Sequence, residues 1–175
     1  TGARSREIGS LKQDGKKVIG YREAMTLPKQ PKKLIVVGSG AIGIEFAYFY
    51  NSMGTEVTII EYLDRILPVE DEEVSKQLER SFKKSGIKIM TGAEVTGVDS
   101  KGKGVKATVK TSKGDESISA DIVLSAVGIK ANIENIISNA TKGTHYTANV
   151  KAFNYGNEYY LMVKETFLDV RFVGT

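Results

Sequence analysis

The sequence GSGAIG at residues 38–43 constrains the fold of this chain more than any other feature. It follows the run LIVV at residues 34–37, whose unbroken apolar character is typical of a strand buried on both faces of a parallel sheet. A helix is predicted to follow and to end near Gly54, because apolar residues then recur at three- and four-residue spacing. These residues are Ile42, Phe46, Phe49 and Met53. We therefore expect a strand, a tight turn and an amphipathic helix in direct succession.

The same alternation continues along the chain. The β-branched run VTII at residues 57–60 predicts a second strand, so that residues 34–60 form one right-handed βαβ unit. The acidic cluster EDEE at residues 70–73 suits the positive end of a second helix, and Gly86 is placed to end it before the strand IKIM. The apolar stripe of this second helix is Val74, Leu78 and Phe82.

The pattern changes at residues 93–120, where apolar and polar residues alternate between the turn-rich sequences DSKGKG and SKGD. This predicts an antiparallel three-stranded meander in place of a crossover helix, followed by a last buried strand at residues 122–127 that Gly128 closes. The fold class predicted is α/β, a Rossmann-like parallel sheet with an antiparallel β-meander. The aromatic-rich tail predicts one or two hairpins, with a turn near residues 154–157.

Composition excludes several kinds of function. The chain contains no cysteine, so it cannot form a disulfide, a thiolate metal site or a dithiol redox centre. The formal charge of +4 comes from lysines scattered along the chain, which indicates a solvated surface and no nucleic-acid partner. No apolar run reaches the roughly 20 residues that cross a bilayer, so we expect a cytoplasmic protein without a membrane partner. No metal site is predicted.

Each glycine of the turn suits a different mechanical task. Gly38 permits the sharp turn out of the strand, Gly40 lets a pyrophosphate approach bare backbone, and Gly43 lets the helix pack closely on the sheet. The phosphates would then lie at the helix N-terminus, where unpaired N–H groups and the macrodipole stabilise them.

The second strand ends at Glu61, 18 residues after Gly43. A carboxylate there can accept hydrogen bonds from the adenosine ribose hydroxyls and would repel a 2′-phosphate, which favours NAD over NADP. The local sequence does not exclude FAD, since the same glycine pattern binds it. Arg65 is interpreted as a surface group that pairs with Glu61 or Asp64.

These motifs resemble those of the pyridine nucleotide-disulfide oxidoreductases, and within them the dihydrolipoamide dehydrogenases. The resemblance covers about residues 1–137 and includes GSGAIGIE, Glu61, the segment ILPVEDEE and the sequence ADIVLSAVGIKANIEN. It implies an FAD/NAD(P)-binding domain type of fold. Residues 1–20 would be a remnant of the connection to an FAD domain, residues 21–138 an NAD-binding domain, and residues 139–175 a β-rich tail.

The resemblance also implies a set of cofactor-binding residues. Residues 38–45 would hold the pyrophosphate and reach the nicotinamide, with Glu45 near the nicotinamide amide; from the residues alone, Glu45 is equally well an exposed helical glutamate. Val95 would offer its backbone to the adenine, and Gly128 would line the nicotinamide end. The complete predicted set is Gly38, Ser39, Gly40, Ala41, Ile42, Gly43, Ile44, Glu45, Glu61, Val95 and Gly128.

The family's cysteine pair and its histidine–glutamate pair have no counterpart in this sequence. The single histidine, His145, lies outside any family motif, so no catalytic residue is predicted and the chain alone is expected to be inactive. The expected partners are NAD(H) and the FAD and interface domains of a parent enzyme, with FAD bound only in the missing domain; a homodimer stays open. The alternatives are a stand-alone nucleotide-binding or assembly module, and a domain of an NADH oxidase or ferredoxin reductase.

Overall fold

The computed structural model describes residues 2–132, 150–155 and 158–163. The chain divides into two compact units, one of Ser5–Ile129 and one of Thr1–Arg4 with Lys130–Thr175. Across the part of the chain that the structure describes, no helix is long and apolar enough to cross a membrane.

The described residues form fifteen elements. In chain order they are β1 (Ala3–Ser5), β2 (Val18–Ile19), α1 (Tyr21–Met25), β3 (Lys33–Val37), α2 (Ala41–Ser52), β4 (Glu56–Ile60), α3 (Glu72–Lys84), β5 (Lys88–Met90), β6 (Glu94–Asp99), β7 (Val105–Thr111), β8 (Gly114–Ala120), β9 (Ile122–Ser125), β10 (Ile129–Ala131), β11 (Val150–Tyr155) and β12 (Glu158–Val163).

A five-stranded sheet in the order β2-β9-β3-β4-β5 forms the centre of the larger unit, and its strands are parallel. Val37 lies level with both Ile60 of β4 and Ser125 of β9, so three strands end at one edge. The predicted Rossmann-like alternation of strands and helices is confirmed. The edge strand β2 was not predicted, because two residues are too short to show a period.

The predicted meander is also confirmed, as the antiparallel sheet β6-β7-β8. The inward side chains of β7, which are Val105, Ala107 and Val109, pack with Ile35 and Val123 in one core cluster. The helices pack on a second cluster formed by other residues of the same strands, such as Val36 and Leu124. The parallel sheet is therefore covered on both faces, as its unbroken apolar strands require.

Helix α2 forms where predicted but buries a different face. Its buried residues are Gly43, Ile44, Ala47 and Tyr50, whereas Phe49 and Met53 are 54% and 58% exposed. Small residues at positions 43 and 47 let the helix axis approach the sheet closely, while Ile44 and Tyr50 are buried beside them. The predicted stripe is therefore correct at Phe46, which packs against the core, and wrong at Phe49 and Met53.

Helix α3 departs from its predicted stripe at one position. Phe82 is buried and Leu78 packs against the core, but Val74 is 54% exposed. Ser75 lies inside instead, because its hydroxyl donates to the carbonyl oxygen of Leu67 at 3.1 Å. The first turn of α3 therefore contacts a backbone carbonyl group of the preceding loop, and its later turns reach the apolar core.

The smaller unit contains two pairs of strands. Strand β1 pairs with β10, and β11 pairs antiparallel with β12 in a hairpin whose register brings Tyr155 opposite Glu158. One predicted hairpin is thus confirmed in its strands, while residues 156–157 of its turn and His145 lie outside the described residues. The domain limits at residues 20 and 138 stay a prediction.

Candidate functional site

A groove with a volume of about 560 Å³ lies at the carboxyl ends of β3, β4 and β9. In open parallel sheets this edge is where ligands bind. The groove is lined by Arg6, Ile8, Ser10, Val37, Gly38, Ser39, Gly40, Ile60, Glu61, Tyr62, Leu63, Ala93, Glu94, Val95, Ala126, Val127 and Gly128.

Two of the three glycines are required by the protein's own packing. Gly38 has φ +95°, and a Cβ on it would lie 2.5 Å from the carbonyl oxygen of Ala126. A Cβ on Gly43 would collide with the carbonyl oxygen of Gly38. The turn and the close approach of the helix therefore both need glycine.

Gly40 is different, because nothing in the protein demands glycine there. Its φ of −67° is open to any residue, and a Cβ would meet no atom of the described residues within 4 Å. A side chain at this position would extend into open space beside the groove. The space at Gly40 therefore suits a ligand that approaches the backbone closely.

Helix α2 begins directly after Gly40, so its first backbone N–H groups are close to Gly40 along the chain. Gly40 is its N-cap and has no side chain to accept them, and the first turn consists of the apolar residues Ala41, Ile42, Gly43 and Ile44. The first i→i−4 bond is donated by the N–H of Ile44 to the carbonyl oxygen of Gly40, at 3.0 Å. The preceding N–H groups have no intrahelical acceptor and can receive an anion.

Glu61 lies directly after β4, next to the glycine turn. It is only 7% exposed, and its Oε2 accepts the backbone N–H of Ser39 at 2.7 Å and the Ser39 hydroxyl at 2.6 Å. Its Oε1 accepts the N–H of Leu63 at 2.9 Å. Three donors offset the loss of hydration of this carboxylate; Oε2 already has two of them, and Oε1, with one, keeps the capacity to accept more.

In the part of the chain that the structure describes, no carboxylate forms a salt bridge with Arg65. Its guanidinium donates instead to the carbonyl oxygen of Pro68 at 3.0 Å, so the predicted pairing with Glu61 or Asp64 was wrong. Sequence proximity suggested an ion pair, but the loop turns the arginine towards the start of α3. Among the described residues, the Glu61 carboxylate therefore lies beside the groove without an arginine partner.

The other predicted residues divide into two groups. Val95 and Gly128 line the groove together with Gly38, Ser39, Gly40 and Glu61. Ala41, Ile42, Gly43, Ile44 and Glu45 are not among the described residues that line it. Gly43 and Ile44 lie on the buried face of α2, while Ala41 and Glu45 are exposed.

Sequence reasoning missed the contribution of the segment at residues 6–10. Arg6, Ile8 and Ser10 line the groove, and the N–H of Arg6 donates to the carbonyl oxygen of Gly128 at 3.0 Å. No motif or period marks this segment, so only its backbone pairing reveals its position. Among the residues that the structure describes, no cluster of histidine, cysteine or carboxylate side chains could hold a metal ion.

Comparison with known proteins identifies the family. The family model described as "Pyridine nucleotide-disulphide oxidoreductase" matches residues 1–151. The dihydrolipoyl dehydrogenase of Rhizobium etli is 47% identical over 137 residues, which is 78% of this chain and 28% of that protein. The leghemoglobin reductase of Glycine max is 39% identical over 130 residues, which is 73% of this chain and 25% of that protein.

Solved structures of proteins of this kind are also similar to this chain. The crystal structure of LpdA from Mycobacterium tuberculosis has a TM-score of 0.70 and 32% identity, over 79% of this chain and 30% of that one. A ferredoxin reductase from Rhodopseudomonas palustris has a TM-score of 0.71 and 26% identity, over 80% of this chain and 36% of that one.

The chain spans less than a third of the length of the curated relatives that it matches. Proteins of this family are oxidoreductases that use FAD and NAD(P). This chain, matched over residues 1–151, belongs to the pyridine nucleotide-disulphide oxidoreductases.

Proposed function

We propose that this chain forms the NAD(H) site of a dihydrolipoyl dehydrogenase-like flavoprotein. The observation that carries the proposal is the open space at Gly40, which adjoins an uncapped helix N-terminus and lies in the same groove as the buried carboxylate of Glu61. These features suit a diphosphate and, next to it in the same groove, a ribose.

The glycine turn would hold the diphosphate through backbone groups alone. The N–H groups at the start of α2 donate to phosphate oxygens, and the positive end of the helix dipole favours the negative charge. A site built from backbone needs no lysine or arginine, which agrees with the apolar first turn of α2. This part of the chain therefore binds and orients, and does not take part in covalent chemistry.

Glu61 would accept the hydroxyls of the adenosine ribose and so favour NAD over NADP. A 2′-phosphate would face a carboxylate that is 7% exposed, held by three donors and without an arginine partner. Two negative charges close together repel more strongly when water is excluded from the space between them. The backbone of Val95, on the same groove, would contact the adenine.

The nicotinamide would lie towards the Ala126–Gly128 end of the groove, with Glu45 near its amide group. When bound, NAD supplies the carbon that accepts a hydride from reduced flavin. This sequence contains no cysteine, so the redox disulfide, the flavin and the acid–base pair would belong to FAD and interface domains outside it. The chain alone, in the cytoplasm or in solution, would bind NAD(H) without turning over a dithiol substrate.

Titration with NADH, with the chain's fluorescence or heat as the signal, tests the proposal. Gly40→Val should lower the affinity at least about a hundredfold, because the side chain fills the space where phosphate approaches. The fold should be unaffected, since that space is open and the backbone angle ordinary.

Gly102→Val is the matched control, because a Cβ at Gly102 also meets no atom of the described residues within 4 Å but the residue lies in a meander turn. It should bind NADH as the wild type does. Equal affinity of the Gly40→Val variant and the wild type would contradict the proposal.

The cofactor preference is tested by Glu61→Arg, which replaces a ribose acceptor with a phosphate partner. We expect weaker binding of NADH and a change of at least about tenfold in the NADH to NADPH affinity ratio, in favour of NADPH. The variant leaves three donors without their acceptor and will be less stable. Glu61→Gln, which keeps an acceptor oxygen, gives the same direction of change in a stable chain; an unchanged ratio in both variants would reject the assignment of Glu61 to the ribose.

A further inference from the structure

We propose that Ser39 determines cofactor preference by holding Glu61, and that its side chain does not bind phosphate; this inference rests on the proposed NAD(H) site. Ser39 lies between Gly38 and Gly40, where the neighbouring backbone would face a diphosphate. Its side chain is completely buried and directed to the carboxylate instead. It is therefore a positioning residue, which acts through Glu61.

All the polar groups of Ser39 are used within the protein. The backbone N–H and the hydroxyl both donate to Oε2 of Glu61, at 2.7 and 2.6 Å. Its carbonyl oxygen accepts the N–H of Leu67 at 3.0 Å. One residue thus connects the glycine turn, the ribose carboxylate and the loop that follows β4.

The double contact from Ser39 restrains the carboxylate of Glu61. Two donors on Oε2 and the N–H of Leu63 on Oε1 fix the plane of the carboxylate. A carboxylate held in one orientation accepts ribose hydroxyls without loss of rotamer freedom and cannot turn away from a 2′-phosphate. The hydroxyl of Ser39 therefore raises affinity for NADH and maintains discrimination against NADPH.

The loop beyond Glu61 is held to the same residue under backbone strain. Leu67 has φ +45°, which is rare for a residue with a side chain, and its N–H is the donor to Ser39. Its carbonyl oxygen accepts the hydroxyl of Ser75, which is 1% exposed, at 3.1 Å. Ser75 thus offers a second buried serine hydroxyl in the same network, without contact to Glu61.

The experiment measures NADH and NADPH affinity of the full chain in the wild type, Ser39→Ala and Ser75→Ala. Ser39→Ala removes one charge-assisted hydrogen bond, and we expect about fivefold weaker NADH binding with little change for NADPH, so that the affinity ratio falls about fivefold. Ser75→Ala removes a hydroxyl of equal burial and should leave the ratio unchanged. Ser39→Gly, which also lacks the hydroxyl, should repeat the result.

A double-mutant cycle locates the effect. If Ser39 acts through Glu61, Ser39→Ala should have no further effect on the ratio in the Glu61→Ala background, which has no side-chain acceptor for Ser39 to hold. Equal losses for NADH and NADPH, a ratio that falls as far in Ser75→Ala, or a full effect of Ser39→Ala in the Glu61→Ala background would each overturn the inference while leaving the NAD(H) site intact. Failure of the wild type to bind NADH at all would instead reject the proposed function, and the role of Ser39 with it.

Discussion

Helices α2 and α3 begin in opposite ways. Asp71, the N-cap of α3, accepts the N–H groups of Glu73 and Val74 through its own carboxylate, and acidic residues occupy the first turn. Gly40, the N-cap of α2, has no side chain, and an apolar turn follows it. One helix satisfies its own N-terminal N–H groups and compensates its dipole, whereas the other leaves both to water or a ligand.

Under the proposed function, the difference marks where the chain forgoes stability in favour of binding. A side-chain N-cap stabilises a helix by about 1 kcal/mol relative to alanine, and glycine recovers part of that through solvation of the N–H groups. The apolar face of α2 supplies what its N-terminus lacks, since Ala47 is fully buried and Tyr50 donates a hydrogen bond to the carbonyl oxygen of Ala24 at 2.6 Å. Helix α2 is thus held by packing at its middle and end, and its N-terminus is left open.

The largest expected effect comes from giving α2 the kind of N-terminus that α3 has. Gly40→Asp introduces a capping carboxylate where φ and space allow it, so stability should be unchanged or raised by a few tenths of a kcal/mol. NADH affinity should fall about a thousandfold, because the carboxylate occupies the N–H groups and repels the diphosphate. Calorimetric titration and urea unfolding measure the two quantities, and retained NADH binding would break the comparison.

The second-largest effect is expected from Gly43→Ala, which tests the packing that holds α2 in place. The added methyl group would collide with the carbonyl oxygen of Gly38, so we expect the free energy of unfolding to fall by about 3 kcal/mol. Urea unfolding measures the loss, with Gly102→Ala as the control in open space. A loss as small as that of the control would mean that the helix can shift from the sheet without penalty.

The smallest effect is expected from Asp71→Ala. Loss of the two cap bonds should lower the free energy of unfolding by about 1 kcal/mol, without change in NADH affinity. The same urea and titration experiments apply. Weaker NADH binding in this variant would show that the N-terminus of α3 also contributes to the site and would remove the contrast between the helices.

Local signals in the sequence were enough to predict four strands of the parallel sheet, the meander and the position of the glycine turn. Strong β-branched runs and glycines with a geometric task act through residues close in the chain. The buried face of α2 was mispredicted because close packing favours Gly43 and Ala47 over larger side chains. The partner of Arg65 and the role of Ser39 depend on how loops fold back, which no period in the sequence encodes.

The buried position of Glu61 has a consequence for how such a chain could change its cofactor during evolution. The same carboxylate accepts the N–H and hydroxyl of Ser39 and the N–H of Leu63, so replacing it removes part of the fold together with the proposed ribose contact. A lineage adapting to a phosphorylated coenzyme would first need a smaller or apolar residue at position 39, or a new acceptor nearby. Adaptation at this site therefore requires several coupled substitutions, and the order in which they occur decides whether the intermediate proteins fold.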